Sequence, residues 1–495
     1  MYHARPVSSS DSQATLSVDR VSLGWYKRVW TPGAPLVGPT RVSIDEICPG
    51  SGREHRLMQG DALRVCGRLH DEGMAGKVKL VYVDPPYFSQ SDYVHEARLD
   101  GKKDGRVRRT LAYEDNWTHA IGNIAGYLEM LAPRLEAAAR LLSPDGTIWV
   151  HLDWRASYLA RCILDEVMGR DAFLNEVVWK RAPNLGRQAQ SFQFGRTLDT
   201  LIVYGGPKAR LQPPTRLEVI DPKAIRWDEE KRPFTAAPRG DYTDESIERL
   251  DAEGRVHRSK TGKVYIKYFL IKNDHNEWCR ERRVDTLWTD VAPIRHSKND
   301  ERTGYPTQKP VALLERVLLS ASEPGDLVLD VFGGSGTTAV AAQKLGRVAV
   351  VGDEQSLAIS MMRSRLLREG AAFRIERLDA SDAKRAEPEV ECTFEARSTF
   401  VRLLAPKEPM AWAVQVPKGE AGPLFAQDVH FETVWHSERG ARTTPTPVDL
   451  DAKIRRASRI RVLVFEDDGT VLEKIVDDAR ASETTDAAAR KGKAH

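Results

Sequence analysis

Apolar and polar positions along this chain follow two alternating rhythms. Short aliphatic or β-branched runs occur at Val78–Val83, Thr147–Leu152, Glu176–Trp179 and Thr200–Tyr204, and stretches with helical spacing lie at Trp117–Leu142 and Arg155–Val167. Strands that alternate with helices predict a parallel α/β sheet. From residue 205 to about 300 the rhythm breaks. This stretch is long, polar and rich in Arg, Lys, Asp and Glu, with isolated strand-like pieces such as Lys263–Leu270, and it reads as an inserted domain. The rhythm then resumes with a helix at Gln308–Ser322, a strand at Asp326–Val331, a glycine turn, a helix at Thr337–Leu345, a strand at Arg347–Val351 and a helix at Leu357–Leu367. Beyond about residue 390, Thr399–Leu404, Met410–Val416 and Arg459–Phe465 lean towards strand and suggest a small mixed accessory domain. The expected organisation is a loosely held N-terminal segment over 1–45, one half of the sheet over 46–205, the insertion over 206–300, the other half over 301–385, the accessory domain over 386–480 and a tail over 481–495.

Composition narrows the class without naming it. The chain has 495 residues, 41% hydrophobic and 29% charged, a globular balance with room for a large core. No apolar run approaches the roughly 18 residues that span a bilayer, so no membrane association is expected. Met1–Pro6 lacks the basic-then-apolar pattern of a secretory signal, and the expected location is the cytoplasm. Five cysteines (Cys48, Cys66, Cys162, Cys279, Cys392) are scattered and never spaced as C-x-x-C, which argues for free thiols and against a disulfide framework or a cysteine zinc site. A net charge of +3 permits a polyanionic partner without demanding one. Nucleic-acid binding has to rest on motifs.

Two motifs carry chemistry. The first is Leu80–Val83 running into Asp84-Pro85-Pro86-Tyr87. Consecutive prolines cannot continue a central strand, so the chain is held in a stiff extended turn. The Asp84 carboxylate and the carbonyl of Pro85 then form paired acceptors for an NH₂ group, with its lone pair aimed at an electrophilic methyl, and Tyr87 offers a flat face for an unstacked base. The bland alternative is a strand terminator, where Asp and Pro are common. The second motif is Asp326–Val331 followed by Phe332-Gly333-Gly334-Ser335-Gly336-Thr337. A glycine turn between a strand and a helix is where doubly wound sheets hold nucleotide-like ligands, because the backbone approaches the ligand without a Cβ in the way. The spacing fits neither the phosphate loop nor G-x-G-x-x-G. The next strand ends at Gly352-Asp353-Glu354, where an acid can accept hydrogen bonds from a ribose diol.

Together these residues closely resemble the amino-methyltransferase family that modifies DNA, in its permuted β class, where the catalytic motif precedes the cofactor motif. Asp84–Tyr87 matches the catalytic motif and Asp330–Gly336 the cofactor motif. Thr303–Pro310 resembles the segment that lies against the methionine part of the cofactor, and Asp353 falls at the ribose acid, with Glu354 as the alternative. Gly60–Leu63, Leu141–Gly146 and Leu198–Tyr204 match further stretches, and in detail the chain resembles modification subunits of type III restriction systems. The resemblance covers about residues 55–205 and 285–370.

The resemblance implies a doubly wound, Rossmann-like methyltransferase sheet, with 46–205 as its catalytic half, 301–385 as its S-adenosylmethionine half and the insertion as a target-recognition domain. It implies Asp84, Pro85, Pro86 and Tyr87 as catalytic residues, and Asp61, Thr307, Lys309, Asp330, Phe332, Gly334, Gly336, Thr337 and Asp353 as cofactor-binding residues, with no metal. The implied partners are double-stranded DNA, a second copy of the chain in a homodimer, and a separate restriction subunit. The implied reaction is direct displacement onto a flipped base, adenine N6 being favoured over cytosine N4 because cytosine enzymes of this class more often carry Ser in place of the first Asp. A cytosine C5 enzyme would need a cysteine nucleophile after Pro, and Cys48-Pro49 has the wrong order. RNA and protein-glutamine methyltransferases usually place the cofactor motif first, a non-catalytic DNA-binding module would need no intact glycine turn, and no phosphate loop or convincing nuclease motif points to a fused restriction enzyme.

Overall fold

Val78–Val83, almost wholly apolar and buried on both faces, is a central strand of a long mixed sheet. The computed structural model describes residues 24–25, 28–48, 50–98, 107–117, 124–184, 192–259, 261–296 and 301–379, and seven strands beyond residue 388. Two compact units emerge, residues 211–288 and the rest.

The larger unit begins with β1 (Val42–Cys48), β2 (Ser51–Gln59), α1 (Ala62–Asp71), β3 (Val78–Val83), the antiparallel pair β4 (Tyr93–Arg98) and β5 (Val107–Tyr113), α2 (Ile124–Ala139), β6 (Leu142–Leu152), α3 (Ser157–Met168), β7 (Phe173–Lys180) and β8 (Leu198–Gly205). The insertion supplies β9 (Thr215–Val219), β10 (Arg226–Trp227), β11 (Pro233–Pro238), α4 (Asp244–Ala252), β12 (Val256–Arg258), β13 (Val264–Lys272), β14 (Trp278–Arg283) and β15 (Leu287–Trp288). The larger unit continues with α5 (Val311–Ala321), β16 (Leu327–Asp330), α6 (Thr337–Lys344), β17 (Val348–Asp353), α7 (Ser356–Arg368) and β18 (Ala371–Leu378).

In the larger unit the main sheet runs β1-β18-β2-β17-β16-β3-β6-β8-β7. Its middle, from β18 to β6, is parallel. The remaining strands β1, β8 and β7 are antiparallel to their neighbours, which corrects the expectation of a purely parallel sheet. β7 and β8 are consecutive in the chain and pair side by side, as antiparallel neighbours do. Helices α1, α2 and α3 pack in succession as one layer and α5, α6 and α7 as another, and β17 is touched by α1 from one set and by α6 and α7 from the other. This is a doubly wound, Rossmann-like arrangement. From β16 the chain crosses through α6 to β17, and from β3 it crosses through α2 to β6 on the opposite side, so the carboxyl ends of β3 and β16 form a topological switch point.

The insertion is not a set of isolated strands. It builds the sheet β10-β11-β13-β14-β9, with β12 beside β13, around a core of Ile247, Leu250, Val256 and Ile266. A strand such as β14, Trp-Cys-Arg-Glu-Arg-Arg, buries little besides Cys279, so its sequence reads as polar. The unit closes at Trp288, short of the expected residue 300. Beyond residue 388 the described residues are strands: β19 (Glu389–Phe394), β20 (Ser398–Ala405), β21 (Ala411–Pro417), β22 (Phe431–Glu438), β23 (Asp451–Arg455), β24 (Arg459–Phe465) and β25 (Val471–Asp477), in sheets β19-β20-β23 and β22-β21-β24-β25.

The expected tail over 481–495 and residues 1–23 lie outside the described residues. Part of the segment expected to be loose is pinned to α2 instead. Trp25 and Trp30 stack at 5.9 Å, and their indole N–H groups donate to Glu129 at 2.7 Å and Glu136 at 2.9 Å. No helix among the described residues is long and apolar enough to cross a membrane.

A buried ion pair ties the edge of the sheet to its helical cover. Arg363 Nε of α7 donates to Glu46 of β1 at 2.8 Å, with side-chain exposures of 1% and 2%. Glu46→Ala removes the carboxylate of this buried pair and should destabilise the fold by about 3–5 kcal/mol. Glu54→Ala, at the half-exposed pair with Arg374, should cost at most about 1 kcal/mol. Urea midpoints of the two variants check the ordering, and equal losses would show that the buried pair carries no special weight.

Candidate active site

β3 delivers Asp84-Pro85-Pro86-Tyr87 to the switch point, and the surrounding residues lock the turn. Tyr127 Oη donates to the Pro86 carbonyl at 2.7 Å. The next residues are strained, with Phe88 at φ +60° and Gln90 at φ +61°. Asp115 holds them by accepting the amides of Phe88 at 2.9 Å and Ser89 at 2.7 Å. Tyr87 packs against His151 at 6.0 Å between centroids, and its hydroxyl donates to Asp84 Oδ1 at 2.8 Å. Burial, with Asp84 close by, pushes the Tyr82 and Tyr87 phenols well above their usual range, so both remain neutral. Behind them Tyr82 Oη meets His151 Nδ1 at 2.7 Å, and His151 Nε2 lies 3.3 Å from Asp199 Oδ2. Burial alone would raise the Asp199 carboxyl, but His151 and Arg181 hold it below the usual carboxylate range.

β16 delivers the glycine turn beside it. Asp330 is buried at the strand end and staples the loop, accepting from Thr338 Oγ1 at 2.5 Å and from the Phe332 amide at 3.0 Å. Burial pushes its carboxyl up to about 7. Gly334, at φ +49°, lines the cavity and gives its amide to Asp353 Oδ2 at 2.9 Å. Gly336 behaves differently. It is absent from the cavity wall, and a Cβ there would lie 2.8 Å from Met362 Cγ and 3.0 Å from Met362 Cα, so the residue is glycine for packing against α7 and not for approach of a ligand.

Asp353 uses both oxygens on backbone, since Oδ1 accepts the Gln355 amide at 2.9 Å, and burial pushes it up to about 6. Glu354 is exposed and faces Asp61, and burial together with that carboxylate raises it. Asp61 caps α1 through the Leu63 amide at 2.8 Å and pairs with Arg134, which lowers its carboxyl despite the opposing effect of burial. Of the two acids left open by the sequence, Glu354 is the more exposed residue, and its carboxyl is hydrogen-bonded to Asp61.

The third wall precedes α5. Tyr305 Oη reaches the Ala112 carbonyl at 3.4 Å, and Thr307, at φ +59°, meets Tyr113 Oη at 3.1 Å. Lys309 turns inward, its Nζ 2.5 Å from Asp84 Oδ2 and 5.1 Å from the centre of the Tyr87 ring. The three walls enclose a cavity of about 430 Å³, within the range of small-molecule sites, and every residue singled out from the sequence lines it except Gly336. The wall also includes Tyr93, Tyr113, Trp117, Met130 and Arg134, which the motifs did not reveal. Tyr93 and Tyr113 stack at 4.7 Å across the β4–β5 pair, and no alternation in the sequence signals it, since Arg108-Arg109-Thr110 is followed by Leu111-Ala112-Tyr113.

A family model described as DNA methylase, of N6/N4 type, matches residues 78–361, more than half of the chain. The Type II methyltransferase M.EcaI of Enterobacter cloacae is 28% identical over 325 residues, which cover 60% of this chain and 66% of that protein. The StyLTI Mod subunit, of a Type III restriction-modification enzyme from Salmonella typhimurium, is 26% identical over 352 residues, 61% of this chain and 52% of that one. The chain thus spans less than two thirds of either relative's length. Among solved structures, a DNA modification methylase of Thermus thermophilus, TTHA0409, complexed with S-adenosyl-L-methionine, is similar at a TM-score of 0.35 and 19% identity, covering 66% of this chain and all of that one.

The acid at the end of β16 makes stability depend on pH. Asp330 titrates at about 7 in the folded protein, above its unfolded value of roughly 3.9. Between those values the folded protein holds a proton that the unfolded chain has released, so raising the pH through this window favours unfolding. Between pH 5 and 8 the unfolding free energy of the wild type should therefore fall by roughly 2–3 kcal/mol more than that of Asp330→Asn. Parallel urea titrations at the two pH values test this, and identical pH dependence would mean that Asp330 is ionised throughout.

Proposed function

This chain belongs to the N6/N4 DNA methylase family, and we propose that it transfers the methyl group of S-adenosylmethionine to the exocyclic N6 of adenine in double-stranded DNA, acting in the cytoplasm as the modifying component of a restriction-modification system. The observation that carries the reading is the meeting, in one cavity, of the Asp84–Tyr87 turn and the glycine loop after β16.

The cavity fits the cofactor. Gly334 presents bare backbone to it, Glu354 lines it as the acid for a ribose diol, and Phe332, Thr337, Thr307 and Asp61 line the same space. Asp330 and Asp353 shape the loops and enter the binding chiefly by holding them. S-adenosylmethionine supplies an electrophilic methyl on a sulfonium. The chain supplies position. The Asp84 carboxylate and the Pro85 carbonyl accept from the target NH₂, draw its lone pair out of conjugation with the ring and aim it for in-line attack, which costs the protein no metal and no covalent intermediate. Tyr87, a neutral phenol with its ring backed by His151, gives the flipped base a face to stack on, which offsets part of the few kcal/mol spent on leaving the duplex. Prepaid orientation of this kind is worth up to roughly 7–11 kcal/mol of barrier.

The likeness to a Mod subunit supports a separate cleaving partner, and a second copy of the chain is the remaining partner we propose. We assign target recognition to the insertion, residues 211–288, which has its own sheet and core and carries surface arginines such as Arg282 and Arg283.

Two experiments test these assignments. Asp84→Ala should keep cofactor binding and lose at least the ~10²–10³-fold in rate that removal of one preorganised polar contact costs. Mass spectrometry of nucleosides from methylated DNA should show N6-methyladenine; N4-methylcytosine would replace the adenine reading, and an Asp84→Ala variant of full activity would remove the catalytic assignment. Exchanging residues 211–288 for the equivalent unit of a relative should move methylation to that relative's sites, whereas an unchanged site pattern would place recognition elsewhere in the chain.

A further inference from the structure

Lys309 belongs to the segment that the family resemblance places against the cofactor, yet its ammonium is engaged elsewhere. Nζ donates to Asp84 Oδ2 at 2.5 Å and approaches the Thr307 carbonyl at 3.4 Å. On the other oxygen of the same carboxylate, Tyr87 Oη donates at 2.8 Å. Asp84 therefore has one donor on each oxygen, one from its own turn and one from the segment before α5.

The arrangement answers a specific need. The terminal torsion of an aspartate is broad and does not set the plane of its carboxylate. Two donors on two oxygens do set it. An ionised carboxylate has about four acceptor positions, so a carboxylate held in this way still has room for an incoming NH₂. The lysine is itself held. Its backbone carbonyl accepts from Thr337 Oγ1 at 3.1 Å, and Thr337, the first residue of α6, also accepts from Arg365 Nη1 at 3.0 Å. Lys309 is 8% exposed, and its ammonium sits 5.1 Å from the centre of the Tyr87 ring, a cation–π distance. A sulfonium is a cation, and an ammonium beside Asp84 is not its ligand.

Resting on the reading that Asp84 receives the target amine, we propose that Lys309 is the positioning residue of that carboxylate, anchored on the cofactor loop, and not a ligand of S-adenosylmethionine. Lys309 thereby joins the two motifs mechanically, with its main chain on the glycine-turn side and its side chain on the catalytic side.

The test compares wild type, Lys309→Met, Asp84→Asn and the double variant. Single-turnover methylation of a duplex is measured at saturating S-adenosylmethionine, and cofactor affinity is measured by calorimetry. Lys309→Met should lower the rate about 10²-fold, the cost of a misplaced reacting group, while cofactor Kd stays within about threefold. In the Asp84→Asn background the same substitution should change the rate by less than about twofold, because the group it positions is gone. Lys309→Arg, which keeps the charge but moves it, should fall between wild type and Lys309→Met; if Lys309→Met does not fold, Lys309→Arg takes its place in the cycle with the same non-additivity expected. A weakened cofactor Kd that accounts for the lost rate, an unchanged rate, or a full additional loss in the Asp84→Asn background each overturns the proposal. If Asp84→Asn is too slow to measure, the split between rate and cofactor Kd in Lys309→Met decides alone. A fully active Asp84→Asn variant would instead overturn the reading of Asp84 on which this rests.

Discussion

The parallel pairing of β3 with β16 is the constraint on which the rest of the site depends. Leu80 lies beside Val328, and Tyr82 beside Asp330. These strands are far apart in sequence and flank the insertion, so neither motif is near the other until the ladder forms. Once it forms, Asp84 and the glycine turn leave the sheet from adjacent strand ends, at the point where the two crossovers diverge. The apolar content of Val78–Val83 and Leu327–Leu329 is therefore what draws the two strands together in the middle of the sheet and so assembles the cavity.

In and around the cavity, charge follows partnership. Asp61, paired with Arg134, and Asp199, flanked by His151 and Arg181, lie below the usual carboxylate range despite their burial. Asp330 and Asp353, which accept from hydroxyl or backbone N–H groups, are pushed up to about 7 and about 6. Hydrogen bonds from neutral donors do not offset desolvation here, while cations do. Acidic side chains in the cavity wall favour a positive group over a negative one, which fits a sulfonium donor better than a phosphate ligand.

Much of this was readable from residues alone, for a physical reason. The strand pattern, the double proline and the glycine turn are local signals whose meaning survives without knowledge of the fold. What escaped was set by tertiary neighbours. Gly334 and Gly336 look equivalent in sequence, and only the position of Met362 separates a cavity-lining residue from a helix-packing one. Asp353 and Glu354 are adjacent acids, and only the amides of Gly334 and Gln355 show that Asp353 is already engaged. Trp25 and Trp30 sit in a segment without periodicity, because their anchoring carboxylates, Glu129 and Glu136, are about a hundred residues away. The insertion hid its sheet because its strands bury little and carry charge on the open face.

The site's rigidity and the separateness of the insertion are two sides of one solution. Phe88, Gln90 and Thr307 all adopt left-handed backbone without being glycine, and each lies within a few residues of Asp84 or Lys309. Such conformations cost of order 1–3 kcal/mol each and persist only where neighbours over-determine them, as Asp115 does for the Phe88 turn and Tyr113 for Thr307. A cavity wall held this tightly, which we propose to be the catalytic one, tolerates little change in the residues that support it. Residues that must vary to read different DNA sequences are better placed in a unit whose folding they alone determine. Under the proposed assignment of recognition to the insertion, Ile247, Leu250, Val256 and Ile266 give that unit a core of its own in which such variation is carried.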